Sequence, residues 1–137
     1  MLDRLLEQMR GSARDVEEGM TELLSVLWSV KSECDAATWE SVIARCVGHP
    51  ARAVIHEDPF AARCFEKPRG YAGDAVLIDY LYTRQCDPNA SALGKMIFSF
   101  TRDIPAGHAV RRRRDMMADV IDQVCAATKS ARILSVA

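Results

Sequence analysis

The chain of 137 residues has no Cys-x-x-Cys pair, no apolar run of membrane-spanning length and almost no excess of charge. Each absence removes a class of protein. The five cysteines, Cys34, Cys46, Cys64, Cys86 and Cys125, are odd in number and widely spaced. A disulfide framework or a structural zinc site needs a tighter pattern. They read as reduced thiols packing as small hydrophobes. A formal charge of -1 gives no global attraction to nucleic acid or to an anionic membrane. Few aromatic residues are interleaved with basic ones, which counts further against nucleic acid. Without a long apolar run there is no transmembrane helix. The amphipathic, acid-containing start Met1-Leu2-Asp3-Arg4-Leu5 is not a secretory signal. The expected location is the cytoplasm.

What remains suits a packed domain. Apolar residues make up 49% and charged residues 27%, a balance that supports one core. Leu2, Leu5, Leu6 and Met9 form a short helical stripe stopped near Gly11. Val16, Met20, Leu23, Leu24 and Leu27 continue at the same spacing, predicting a helix from about Arg14 to Lys31 with Trp28 extending its apolar side. Asp15, Glu17 and Glu18 suit its first turn. A third helix is expected from an N-cap at Thr38, with Trp39, Val42, Ile43, Cys46 and Val47 facing inward. Pro50 opens a short helix that breaks at Pro59, and Phe60 to Phe65 adds one or two turns. His49 and His56 have no third ligand spaced with them, so no metal site is expected. Asp74 is a good N-cap for Ala75 to Tyr82, apolar nearly all round and expected to be well buried. Two more helices follow, one from about Ser91 to Phe100 and a long one opened by Asp103 to Gly107. The long helix carries a stripe of Ala109, Val110, Met116, Met117, Val120, Ile121 and Val124.

The chain is organised around Glu66-Lys67-Pro68-Arg69-Gly70-Tyr71-Ala72-Gly73-Asp74. A simple connector needs none of this chemistry. Pro68 biases Lys67 toward an extended backbone. Gly70 and Gly73 permit left-handed angles or a close backbone approach. Arg69 offers a planar fork for a carboxylate or phosphate, and Tyr71 offers a ring face and a hydroxyl. Two roles are open: a wall of a ligand site, or a structural corner in which Arg69 pairs with Glu66 or Asp74. The run Arg111-Arg112-Arg113-Arg114 points in several directions on a helix, so it forms no single phosphate-binding face. Its members are expected to be solvated or paired with acids such as Asp115 and Asp119, with one able to reach a ligand. Ala131-Arg132-Ile133-Leu134-Ser135-Val136-Ala137 reads as a buried strand, although no second strand is evident to pair with it.

Together, His49-Pro50, His56-Glu57-Asp58-Pro59-Phe60, Phe65 to Ala75 and the closing segment resemble the N-terminal region of a group of bacterial class I S-adenosylmethionine-dependent methyltransferases. The resemblance covers about Pro50 to the end. It implies a mainly α, bundle-like helical cap over residues 1–130. Residues 131–137 would be the first strand of a Rossmann-like α/β domain whose Gly-rich turn and ribose-binding acid lie beyond Ala137. S-adenosylmethionine is then the cofactor of the complete protein, and this chain alone is expected to bind it weakly or not at all. Arg69, Tyr71, Gly73 and Asp74 are the expected cofactor contacts, with Asp74 reaching the ammonium unless it is taken up as an N-cap. Lys67, Tyr82 and Arg113 are the expected contacts to a small acidic or fatty-acid-like acceptor. No catalytic residue is legible. The competing expectation is a non-enzymatic helical interaction or regulatory module, with the N-terminal helices and Trp28 as a homodimer face.

Overall fold

Apolar residues at three- and four-residue spacing make helices along the whole chain, and the helices differ in how much of each stripe finds a partner. A computed structural model describes residues 1–134, and among these it contains eight helices and no strand. They are α1 (Leu2–Gln8), α2 (Ala13–Glu33), α3 (Ala36–Gly48), α4 (Ala51–Ile55), α5 (Pro59–Glu66), α6 (Ala75–Thr83), α7 (Ala92–Thr101) and α8 (Pro105–Ala127). The mainly helical class matches the expectation.

Side-chain caps set most of the helix starts. Ser12 and Asp15 form a reciprocal capping box on α2, with Ser12 N donating to Asp15 Oδ2 at 2.7 Å. Ser91 accepts from Gly94 N at 2.9 Å and starts α7. The start of α3 departs from expectation, because its N-cap is Asp35 and Thr38 N donates to Asp35 Oδ1 at 2.8 Å. Asp35 captures the N–H of Thr38 three residues on, so Thr38 lies inside the helix. Pro59 is likewise a start rather than only a break, standing just inside α5 behind the N-cap Asp58.

The core forms where α1 and α2 fold back on each other and onto α7. Leu5, Met9, Val16, Met20, Leu23 and Ile97 make one buried cluster, closed by Leu27, Val54, Ile55 and Phe100 among others. Each such side chain contributes about 1.5–3 kcal/mol when fully buried. Helix α7 is the axle, touching α2, α4 and α5. A Cβ at Gly94 would overlap the backbone carbonyl of Glu57, so the crossing of α7 over the α4–α5 corner requires glycine there. Beyond this core, α6 packs on α5 and on α8. Phe60, Tyr80 and Phe98 join the two regions edge to face, with centroids 5.7–6.4 Å apart.

Several expected inner faces stay outside. No residue of α3 is buried, and Ile43 is exposed. In α6 only Leu77 and Leu81 are buried, the rest of its apolar surface being half-covered or open. In α8 only Gly107 is buried, while Met116, Met117, Val120 and Val124 are exposed. Helix α8 packs mainly on α6. Trp28 is 75% exposed rather than extending a covered stripe. Ala131 to Leu134 carry no strand, consistent with the lack of a pairing partner, and Ser135 to Ala137 lie outside the described residues.

The core assignment is tested by Ile97→Ala, expected to lower unfolding free energy by about 2–5 kcal/mol. Gly94→Ala should also destabilise, although alanine is the better helix former by about 1 kcal/mol. Urea midpoints at unchanged m value read both. A neutral Gly94→Ala would refute the close crossing at Glu57.

Candidate functional site

The loop between α5 and α6 is braced by one carboxylate. Asp74 is almost completely buried and caps α6, its Oδ1 accepting from Leu77 N at 3.0 Å. Arg63, from the last turns of α5, donates Nε to Oδ1 at 2.9 Å and to Oδ2 at 3.1 Å, and adds Nη2 to Oδ2. This two-pronged pairing crosses the loop and ties both helices at its ends. The Arg63 bonds are the main cause holding the Asp74 carboxyl down at about 2, with Leu77 N adding to them against the cost of burial.

Between those ends the backbone is strongly shaped. Lys67 N donates to Arg63 O at 3.0 Å to close α5, and Gly70 N donates to Lys67 O at 2.7 Å. Lys67 is left-handed at φ 48°, ψ 58°, so the demand of the helix end overrides the extended bias of a residue before proline. Gly70 and Gly73 also lie at positive φ, 84° and 100°, with open space where a Cβ would sit. Their glycines answer a backbone requirement, and nothing among the described residues crowds the position of a Cβ.

Because Arg63 and Leu77 occupy Asp74, the cations of the loop are left over. Arg69 Nε lies 3.8 Å from Asp74 Oδ2, beyond hydrogen-bond reach, and the side chain is half exposed. Tyr71 is 55% exposed. Lys67 and Gly73 are exposed beside them. The expected contacts Lys67, Arg69, Tyr71 and Gly73 therefore share one loop, while Asp74 is taken up as cap and ion-pair partner. Tyr82 and Arg113 are not brought to it. Tyr82 lies near the other end of α6, about 12 Å along the axis from Asp74, with the Arg114 guanidinium 4.9 Å over its ring. Arg113 is exposed on α8.

Two residues that matter here carried no clear signal in the sequence. Arg63 reads as an ordinary surface position until the fold brings it to Asp74. Asp58 is fully buried with no cation on it, accepting from Phe60 N at 2.9 Å and from Thr101 Oγ1 at 2.7 Å. Burial pushes its carboxyl up, against those hydrogen bonds. The Asp58-Pro59 step was the available sign, since proline often follows an N-cap.

The two central histidines serve the fold. His49 Nδ1 accepts from Ala51 N at 3.1 Å, and His56 lies against Phe65 with centroids 4.9 Å apart and the rings tilted by 50°. Among the described residues no group of three or more His, Cys, Asp or Glu is arranged to hold a metal. Burial pushes the Cys64 and Cys86 thiols up, away from reactive thiolate character. Clefts of about 790, 550 and 160 Å³ lie away from the loop, the largest between α2, α7 and the start of α8. No helix among the described residues is long and apolar enough to cross a membrane. No protein-family model matches the chain, and no match is found among curated proteins or solved structures.

Asp74 makes acid stability a direct test of the brace. Its folded value lies below the ordinary carboxylate value of 3.8, so the folded state holds fewer protons there. The stabilisation is complete above that value and is lost as pH falls through about 2. Asp74→Asn should destabilise the protein at neutral pH and flatten the loss between about pH 4 and pH 2. Urea midpoints across that range measure it. An unchanged acid limb in the variant would remove Asp74 from the brace.

Proposed function

We propose that residues 1–130 form the helical cap of an S-adenosylmethionine-dependent methyltransferase, with Lys67 to Asp74 as one wall of its pocket. One observation carries this: Arg63 takes up Asp74 and leaves Arg69 and Tyr71 presented to solvent on a braced loop. Arg69 keeps only a long ion pair to Asp74, at 3.8 Å, and stays half exposed, more than a purely structural corner needs once Arg63 holds that carboxylate. The Arg69 fork suits a carboxylate such as the methionine end of the cofactor. The ring and hydroxyl of Tyr71 suit stacking or a hydrogen bond beside it. Gly73 leaves its backbone open to a ligand, and Asp74 acts as the positioning residue that holds the wall in place.

These residues fit the amino-acid end of the cofactor and supply nothing dedicated to its ribose or base. That share of the site falls, on this reading, to a Rossmann-like domain beginning with Ala131 to Ala137 as its first strand. The cofactor supplies an electrophilic methyl group. The cap aligns the acceptor and excludes water. Lys67 meets a small acidic or fatty-acid-like acceptor from the loop, and Tyr82 and Arg113 meet it from farther along α6 and α8.

A second reading has its own observation. Leu24 and Trp28 are exposed one turn apart on α2, 42% and 75% respectively, as a helical interaction module with a homodimer face would present them.

The main reading is tested on the polypeptide continued past Ala137 by its coding sequence. Arg69→Ala should weaken S-adenosylmethionine binding about tenfold or more, with Tyr71→Phe smaller in effect. Intact affinity and turnover in both folded variants would overturn the site. Calorimetry on the 137-residue chain should show weak or no binding, and equal binding by both lengths would contradict the division of the site. For the second reading, sedimentation should show a dimer that Trp28→Ser dissociates. A monomeric parent chain would end it.

A further inference from the structure

A second surplus of cations stands at the corner where α6, α7 and α8 meet. Asp103, between α7 and α8, is the carboxylate that the cations there share among the described residues. Arg84 Nη2 donates to its Oδ2 at 2.8 Å, Arg102 Nε to the same oxygen at 3.3 Å, and Arg111 Nη2 to Oδ1 at 2.9 Å. His108 Nε2 lies 4.0 Å from Oδ1. Three guanidinium groups against one carboxylate leave a charge of 3 − 1 = +2, before His108 is counted.

Part of this cluster is a latch. Arg111 is nearly buried and donates Nη1 to Arg102 O at 2.8 Å, with Leu81 O at 3.4 Å, so it ties the ends of α6 and α7 to α8. Arg102 Nη1 donates to Arg84 O at 2.8 Å. The latch does not account for the Arg84 side chain. Arg84 closes α6 in a left-handed conformation, φ 59°, where glycine is the favoured residue. Its side chain caps no carbonyl, is about half exposed and makes one bond, to Asp103. Arg84 Nε and Nη1 and Arg102 Nη2 have no hydrogen-bond partner among the described residues. Immediately beyond, Ile104 offers α8 no side-chain cap, and Arg112 and Arg113 are exposed on its second and third turns.

We propose that Arg84 and Arg102, held by Asp103 and Arg111, form a binding site for a phosphate-type dianion, free or as the phosphomonoester of a small molecule. A dianion matches the excess of two charges, and the unengaged N–H groups, Arg84 Nε and Nη1 and Arg102 Nη2, are left to donate singly to its oxygens. The proposal is independent of the Lys67 to Asp74 loop and of the methyltransferase reading.

The test is titration calorimetry of the intact chain with inorganic phosphate, beside sodium chloride at matched ionic strength. Saturable phosphate binding is expected. Arg84→Gln should weaken it about tenfold or more, and Arg84→Lys should weaken it less. Arg112→Gln, the same charge change outside the cluster, should alter it little. Equal loss in Arg84→Gln and Arg112→Gln would show diffuse charge and overturn the site, as would heats no different from chloride. Far-UV circular dichroism confirms that each variant is folded, and Arg84→Lys carries the test if Arg84→Gln is not. Pelleting with phosphatidic-acid vesicles that free phosphate does not compete away would assign the chemistry to a membrane headgroup and overturn the small-ligand form.

Discussion

The Arg63–Asp74 pair is the constraint on which the middle of the molecule depends. It performs two tasks with one buried carboxylate. The carboxylate satisfies the first turn of α6, and the guanidinium that neutralises it comes from α5, so the loop between is clamped at both ends. Without the pair, Asp74 would be an isolated anion in a nearly solvent-free position, a state proteins avoid at considerable cost. With it, the strained backbone at Lys67 and the positive φ of Gly70 and Gly73 are held in one arrangement. Order in an exposed loop needs such an outside clamp, because the loop has few contacts of its own. The consequence for chemistry is indirect. Arg63 neutralises Asp74, and so Arg69 is not required to.

Asp58 solves a related problem in another way. It too is a helix N-cap and fully buried, yet no cation pairs with it among the described residues. Its hydrogen bonds come from Phe60 N and the Thr101 hydroxyl, neutral donors that soften the burial cost without cancelling it. The two carboxyls are therefore pushed in opposite directions, Asp74 down and Asp58 up. Thr101 ends α7 and Asp58 starts α5, so this bond fixes the crossing that Gly94 permits a few residues away. The central helix α7 is positioned by steric fit at one point and by a buried polar bond at another.

How much of this was legible follows from the range of the interactions. Helix existence is local, and the stripes of α1, α2 and α7, the cap at Asp74 and the glycines of the loop could all be read from neighbouring residues. Caps three residues away are readable in principle, yet the expected N-cap Thr38 lies inside α3, because Asp35, a residue type equally suited to the role, stands three positions ahead of it. The outward stripes of α3 and α8 mark the true limit. An apolar repeat states that a helix has a face to cover and says nothing of whether a neighbour covers it. Arg63 and Thr101 lie further outside, since their roles exist only once residues 11 and 43 positions apart meet. Of the loop site, the identity of the exposed groups was legible. The reason they are exposed was not.

The surplus of cations recurs by a common logic. The whole chain is close to neutral and arginines such as Arg4, Arg10, Arg14 and Arg114 pair with acids of their own, but at two places arginines crowd a single aspartate. At the α5–α6 loop one aspartate is approached by Arg63 and Arg69, and at the α7–α8 corner one aspartate is approached by Arg84, Arg102 and Arg111. In both places one arginine is built in, bidentate on Asp74 or bonded to backbone carbonyls, while another stays half in solvent with N–H groups unengaged. The built-in arginine fixes the geometry, and the carboxylate lowers the repulsion that would otherwise drive the second cation away. An aspartate shared in this manner brings positive charge to a defined place without neutralising it. Such an arrangement leaves donors free for an anion, whereas a purely structural ion pair would be complete with one cation.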